Sequence, residues 1–367
     1  MLLSSLLSAC DPSADDIKSS RLGSDAGDSN LDSETYTATT DRDGYIHIPV
    51  EIEAGGSFQV VTRRLGGGIL STDYVYNPDG DVQFDWEDWQ DSDESLTWCW
   101  APSTWATTVN WPVRASDGPL AAGEWDVAVA TIDHDYYYQS GIDVEVEVLR
   151  RAAVGTALHA VIAYADGLEG DDEVVRGVEA ATDYWITLYA SYGITLTLDT
   201  TTLAVDAEMP GAWRGQTEIA TLLEEQDERA VLVLIGETIA GDEYTYGEAA
   251  NIPGPYAPTE VSVVEVAWLA NAGADATFSA DEISLMGETM AHEVGHYLGL
   301  FHPVEDGYAS WDALDDTEAC GSWETCDERL GDNLMYPYPI CNGRGCTRQD
   351  VLSDDQIGVA RGYVGVQ

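Results

Sequence analysis

Hydrophobic periodicity changes near residue 152, and the change sets what this chain can fold into. Between about 36 and 151, apolar residues fall at every second position in the runs 46–52, 57–63, 125–132 and 142–150. Alternation puts one strand face on a core and the other in water. Turn residues separate the runs, as in Asn77-Pro78-Asp79-Gly80 and Ala122-Gly123. Short strands at this spacing predict an all-β sandwich over 36–151. Trp86, Trp89, Trp98, Trp100, Trp105, Trp111 and Trp125 crowd into the same stretch. Rings of that size read first as core filling, and second as a carbohydrate- or protein-binding face. Beyond 152 the rhythm is mixed. Val174, Val175, Val178, Trp185, Ile186 and Tyr189 have helical spacing over 171–192. A strand follows at 194–198, a short helix near 218–226, a buried strand at 230–235 and a second apolar run at 261–266. The expected fold class is α+β, a β-sandwich followed by a mixed-sheet domain over 152–367.

Charge excludes some partners. The 367 residues hold 15 Lys+Arg against 67 Asp+Glu, a formal net charge of -52. No surface of that kind neutralises a phosphate backbone, so a nucleic-acid partner is not expected. No apolar run reaches the roughly 18 residues of a membrane span.

The chemistry concentrates late in the chain. Ser279-Ala280-Asp281-Glu282 is a capping-box pattern that opens a helix. That helix runs into His292-Glu293-Val294-Gly295-His296. Residues i and i+4 share a helix face, so His292 and His296 can hold one zinc ion. Glu293 is turned off the ligand axis and can serve as general base. Gly299 permits the turn that brings His302 back as a third ligand. Three imidazoles leave a fourth position open, which marks a catalytic zinc site.

His292 through His302 spells H-E-x-x-H-x-x-G-x-x-H, and this string resembles the metzincin metalloproteases. Asp332-Asn333-Leu334-Met335-Tyr336-Pro337 resembles the Met-turn of that clan, which would place Met335 beneath the zinc. The resemblance implies a zinc endopeptidase with an active-site helix, a mixed sheet and an irregular C-terminal subdomain, acting on protein or peptide substrates. The motif and the Asp312-Ala313-Leu314-Asp315-Asp316-Thr317 loop look like the pappalysin group. In that group such a loop holds calcium, making Asp312, Asp315 and Thr317 calcium candidates; the alternative is a solvated acidic loop. The Leu-Met-Tyr-Pro turn looks more like the matrixins. Pro337 stands where some metzincins carry an oxyanion-stabilising tyrosine, between Tyr336 and Tyr338. The stretch 246–254 resembles the edge strand along which metzincins bind extended substrate.

The N-terminus bears on location. Residues 1–10 end in Leu7-Ser8-Ala9-Cys10, which resembles the lipobox of a bacterial lipoprotein signal. The basic segment expected before it is missing, so the signal reads as truncated or atypical. The resemblance implies an exported protein lipidated at Cys10 and touching membrane only through that anchor. Residues 11–35 are rich in Ser, Asp and Gly and read as a disordered tether. Cys320, Cys326, Cys341 and Cys346 read as two disulfides, with three pairings open. Cys99 reads as a buried unpaired residue, or else as a thiolate that blocks a metal site. Beside the endopeptidase stand two other expectations. One is an inactive metzincin-fold surface protein with an adhesive sandwich. The other is a zymogen in which 36–150 covers the cleft. The oligomeric state is left open.

Overall fold

A computed structural model describes residues 31–87, 94–95, 106–226, 229–272, 276–305, 307–342 and 345–367. Cys10, Cys99, Trp89, Trp98, Trp100 and Trp105 lie outside the described residues. The chain is mixed α+β.

Among the described residues, eight strands build the two sheets of the first half: β1 (Leu31–Thr39), β2 (Tyr45–Ile52), β3 (Ser57–Arg64), β4 (Ile69–Tyr76), β5 (Val82–Asp85), β6 (Ala106–Trp111), β7 (Gly123–Ile132) and β8 (Asp143–Arg151). They form two antiparallel sheets, ordered β1-β8-β3-β6 and β2-β7-β4-β5. One apolar cluster joins both sheets. In β2, Ile46, Ile48, Val50 and Ile52 are buried while His47, Pro49 and Glu51 face out. Pro49 is tolerated because β2 is an edge strand, where a missing N–H breaks no ladder. Trp111 and Trp125 lie in this core, 6.4 Å apart between centroids, with Phe58 5.8 Å from Trp125. Residues 31–35 correct the expected tether, since β1 begins at Leu31 and pairs with β8 along its whole length. Composition misled there because edge strand β1 buries little of itself.

The second half carries a five-stranded sheet. Its order is β10 (Thr195–Thr202), β9 (Ala157–Tyr164), β11 (Val231–Gly236), β13 (Val264–Ala267), β12 (Gly247–Ala249). The first four are parallel and β12 is an antiparallel edge. Helices α1 (Asp172–Ser191) and α4 (Ala280–Tyr297) pack on one face. Helix α2 (Thr217–Gln226) packs on the other. Gly287 lets α1 and α4 approach closely, because a Cβ there would lie 2.7 Å from the Ala181 carbonyl. Shorter helices α3 (Trp268–Ala272), α5 (Trp323–Leu330) and α6 (Asp354–Gly362) complete the unit.

Side-chain amides and charges tie the halves together. Gln59 in β3 donates to Gly254 O (3.1 Å) and accepts from Tyr256 N (2.6 Å), mimicking a strand partner. Asn110 in β6 does the same for Gly362 O (3.2 Å) and Val364 N (2.9 Å). Glu147 in β8 is fully buried between Arg63 (3.1 Å) and Arg229 (2.5 Å). Removing one member of such a group strands buried charge, at a cost of about 3–5 kcal/mol. Glu147→Ala is therefore expected to destabilise the protein by about 3 kcal/mol, read as a lowered denaturant midpoint. An unchanged midpoint would show that the two arginines find water or other partners.

Candidate active site

Ser279 caps α4 through a capping box with Glu282, as its sequence pattern predicts. The helix delivers His292, Glu293 and His296. Gly299 takes φ 103°, and Leu300 N returns to Gly295 O (3.0 Å), which reverses the chain and presents His302. Among the described residues, His292, His296 and His302 form the one group of three ligand-type side chains whose donor atoms lie within 4.8 Å of one another.

Their hydrogen bonds fix the tautomers. His292 Nδ1 meets Leu334 O at 2.7 Å, and His296 Nδ1 meets Leu300 O at 2.7 Å. His302 Nδ1 meets Glu305 Oε2 at 3.0 Å. A carbonyl can only accept, and so can a carboxylate, so each Nδ1 carries the proton. Each Nε2 then presents a lone pair. His296 Nε2 and His302 Nε2 stand only 3.1 Å apart. Two facing lone pairs repel unless a cation sits between them. Burial pushes the His292 pKa down to about 3 and holds His296 well below its ordinary value, each reinforced by the neighbouring imidazoles. Those two rings are neutral and ready to ligate. This donor set fits zinc.

Met335 is fully buried beneath the helix. A Cβ at Gly295 would fall 2.6 Å from its sulfur, so the Met-turn packs against bare backbone there. Asn333 locks the turn by accepting from Met335 N (2.8 Å) and donating to Gln356 Oε1 (2.8 Å).

Glu293 is buried at the head of a cleft of about 290 Å³. Burial, then the charge of Glu248, raises its carboxyl to about 8, while the Ala249 N–H pulls it down. Edge strand β12 lies directly against it: a Cβ at Gly247 would sit 2.5 Å from Glu293 Cγ. The cleft runs between Tyr244–Gly247 on one side and 334–339 on the other, floored by α4. None of the described residues 31–151 lines it.

No protein-family model matches the chain, and no curated protein sequence matches it. Solved structures do. The chain is similar to archaemetzincin from Methanopyrus kandleri, at 13% identity and a TM-score of 0.28, over 57% of this chain and 88% of that one. It is also similar to metalloproteinase-II from Bacteroides fragilis, at 13% identity and a TM-score of 0.29, over 46% of this chain and 57% of that one. Likeness at that level carries no functional argument; the side chains of the site do.

The remaining expected residues divide. Thr317 donates its hydroxyl to Asp312, which is buried, and Asp312 Oδ2 has no hydrogen-bond partner. Burial raises the Asp312 carboxyl to about 7, and its acidic neighbours are Asp316 and Glu305. Asp315 is exposed and does not join it. Asp316 is exposed as well and accepts from Ser353 Oγ (2.7 Å) and Asp355 N (2.9 Å) at the start of α6. Tyr336 and Tyr338 both bond Asp327 (2.6 and 3.3 Å), which leaves the stretch around Pro337 with no tyrosine hydroxyl committed to the histidines. The disulfides are Cys320–Cys326 and Cys341–Cys346. Of the stretch 246–254, residues Gly247–Ala249 form the edge strand. Three contributors were not foreseen. Leu334 O and Leu300 O are backbone groups with no residue signature, and Glu305 is one acid among 67.

Behind the edge strand, Glu248 and Glu265 are paired across β12 and β13. Burial lifts Glu265 to about 8, aided by the charge of Glu248, against hydrogen bonds from Gly211 N and Gln216. Burial lifts Glu248 to about 7, against the Ala212 N–H and Arg214. Both values lie above those of an unfolded chain. As pH rises from about 5 to 8, the unfolded chain releases protons that the native state keeps, so stability falls across that window. Glu265→Gln is expected to flatten this fall, read as denaturant midpoints at pH 5 and pH 8. An equal slope in the two proteins would place the loss elsewhere.

Proposed function

We propose that this chain is a zinc-dependent endopeptidase of metzincin type, built as a β-sandwich followed by a catalytic unit. The observation that carries the reading is the convergence of three Nε2 lone pairs beside a buried carboxyl at the head of a cleft. His292, His296 and His302 would hold the ion. When bound, zinc supplies Lewis-acid chemistry, activating water and polarising the scissile carbonyl. Glu293 takes the proton from the attacking water and returns it to the leaving amine. Edge strand β12 offers free backbone groups on which an extended substrate can pair. The cleft walls exclude water and receive a side chain. An inactive binding protein would have no chemical need for Glu293 in this place.

The purified protein is expected to bind about one zinc per chain and to cleave a denatured protein. Glu293→Ala should keep the metal and cut turnover by about 10²–10⁴-fold, while His302→Ala should lose metal affinity. Equal peptide cleavage by wild type and Glu293→Ala would remove the catalytic assignment. We read the chain further as exported and anchored through Cys10. Fatty-acid labelling of cells should mark the wild type and spare Cys10→Ser; labelling of both would place the lipid elsewhere, and labelling of neither would remove it.

A further inference from the structure

Strand β12 is three residues long, too short for its ladder alone to hold it firmly in place. Its entry is held at Tyr246. The Tyr246 carbonyl accepts from Ala267 N (2.9 Å) and from Asn271 Nδ2 (3.1 Å). Asn271 lies on α3 and is fully buried. The second Nδ2 proton goes to Ala267 O (2.8 Å). Two carbonyl partners leave only one amide orientation, with Oδ1 facing Thr289 Oγ1 at 3.0 Å. The Thr289 hydroxyl shares its proton between Oδ1 and Leu285 O (3.0 Å). Thr289 is on α4, three residues before His292, and both Thr289 and Tyr246 line the cleft. Asn271 stands behind the cleft and joins its two sides.

The spacing it spans is tight. Gly247 follows Tyr246 and leaves no room for a side chain, since a Cβ there would lie 2.5 Å from Glu293 Cγ. The strand cannot move toward α4 without striking that carboxyl. Motion away is opposed by the Asn271 amide, which is itself tied to α4 through Thr289. We propose that Asn271 is a positioning residue that, with Thr289, sets the distance between the substrate-pairing edge strand and the helix bearing the metal ligands and Glu293. The proposal rests on the peptidase reading for its consequence, but the spacing can be read without turnover. A buried amide that merely satisfied its neighbours would support the whole unit equally. A positioning residue acts first on the edge strand.

The test uses the full zinc-loaded chain as wild type, Asn271→Ala, Thr289→Val and Thr289→Ser. Thr289→Val keeps the shape and removes the hydroxyl; Thr289→Ser keeps the hydroxyl. Hydrogen exchange without substrate is read at residues 246–249 and along α4, together with zinc content, kcat and KM on a long unstructured peptide. Asn271→Ala and Thr289→Val should speed exchange at 246–249 about tenfold, with α4 and zinc content unchanged. KM should rise about tenfold with kcat changed less, and Thr289→Ser should match wild type. If Asn271→Ala does not fold, Thr289→Val and Thr289→Ser carry the same comparison. Unchanged exchange at 246–249, or faster exchange everywhere together, would overturn the proposal. If wild type fails to cleave while the exchange pattern appears, the positioning role stands and the peptidase reading falls.

Discussion

The constraint on which the site depends is the placement of three imidazole protons. Each Nδ1–H is donated to an acceptor supplied by a different stretch of chain: the Met-turn, the turn after α4, and the segment that holds Glu305. That leaves three unprotonated nitrogens facing one point in a buried setting. Facing lone pairs repel, so this arrangement favours a cation, proton or metal ion, at the point where the three rings meet. The second ring of acceptors matters as much as the ligands, because it selects the tautomer and the ring plane.

The N-terminal sheets contribute to this centre without touching it. Gln59 grips the backbone at Gly254 and Tyr256. The same loop offers Pro255 O to the Tyr297 hydroxyl at 2.5 Å, and Tyr297 is the last residue of α4. A Cβ at Gly254 would lie 2.2 Å from the Tyr297 ring, so the loop is pressed flat against the helix end. The loop therefore stands between β3 and the helix that carries the ligands. The first half thus serves as a buttress, joined to the second by the polar groups of Gln59, Asn110 and Glu147 and by Val61, Ala106 and Leu149, which pack into the second half's core.

What the chain displayed as sequence follows from locality. The ligand helix was legible because i,i+4 spacing and a glycine turn decide where its side chains go, with little help from distant residues. Strand β2 was legible because it has one wet face, whereas β3, β7 and β8 were legible from the alternation of their residue types although much of each is buried on both faces. Strand β9, central in its sheet, was missed: it is an apolar run buried on both faces, and such a run shows no period. The 261–266 run was placed too early, since Val261 and Ser262 belong to a turn and the strand is Val264–Ala267.

Three glycines show how the motif and the fold require each other. Gly299 is needed for its backbone angle. Gly295 is needed because Met335 sulfur occupies the space of its absent side chain, and Gly247 because Glu293 does. In a one-dimensional string these positions look permissive. In three dimensions each is a contact between elements far apart in sequence. The Met-turn, the helix and the edge strand can close on one another only where a side chain has been left out. The same closeness that shapes the cleft brings Glu293 against the backbone of β12, so that carboxyl and that edge strand are fixed by a single packing arrangement.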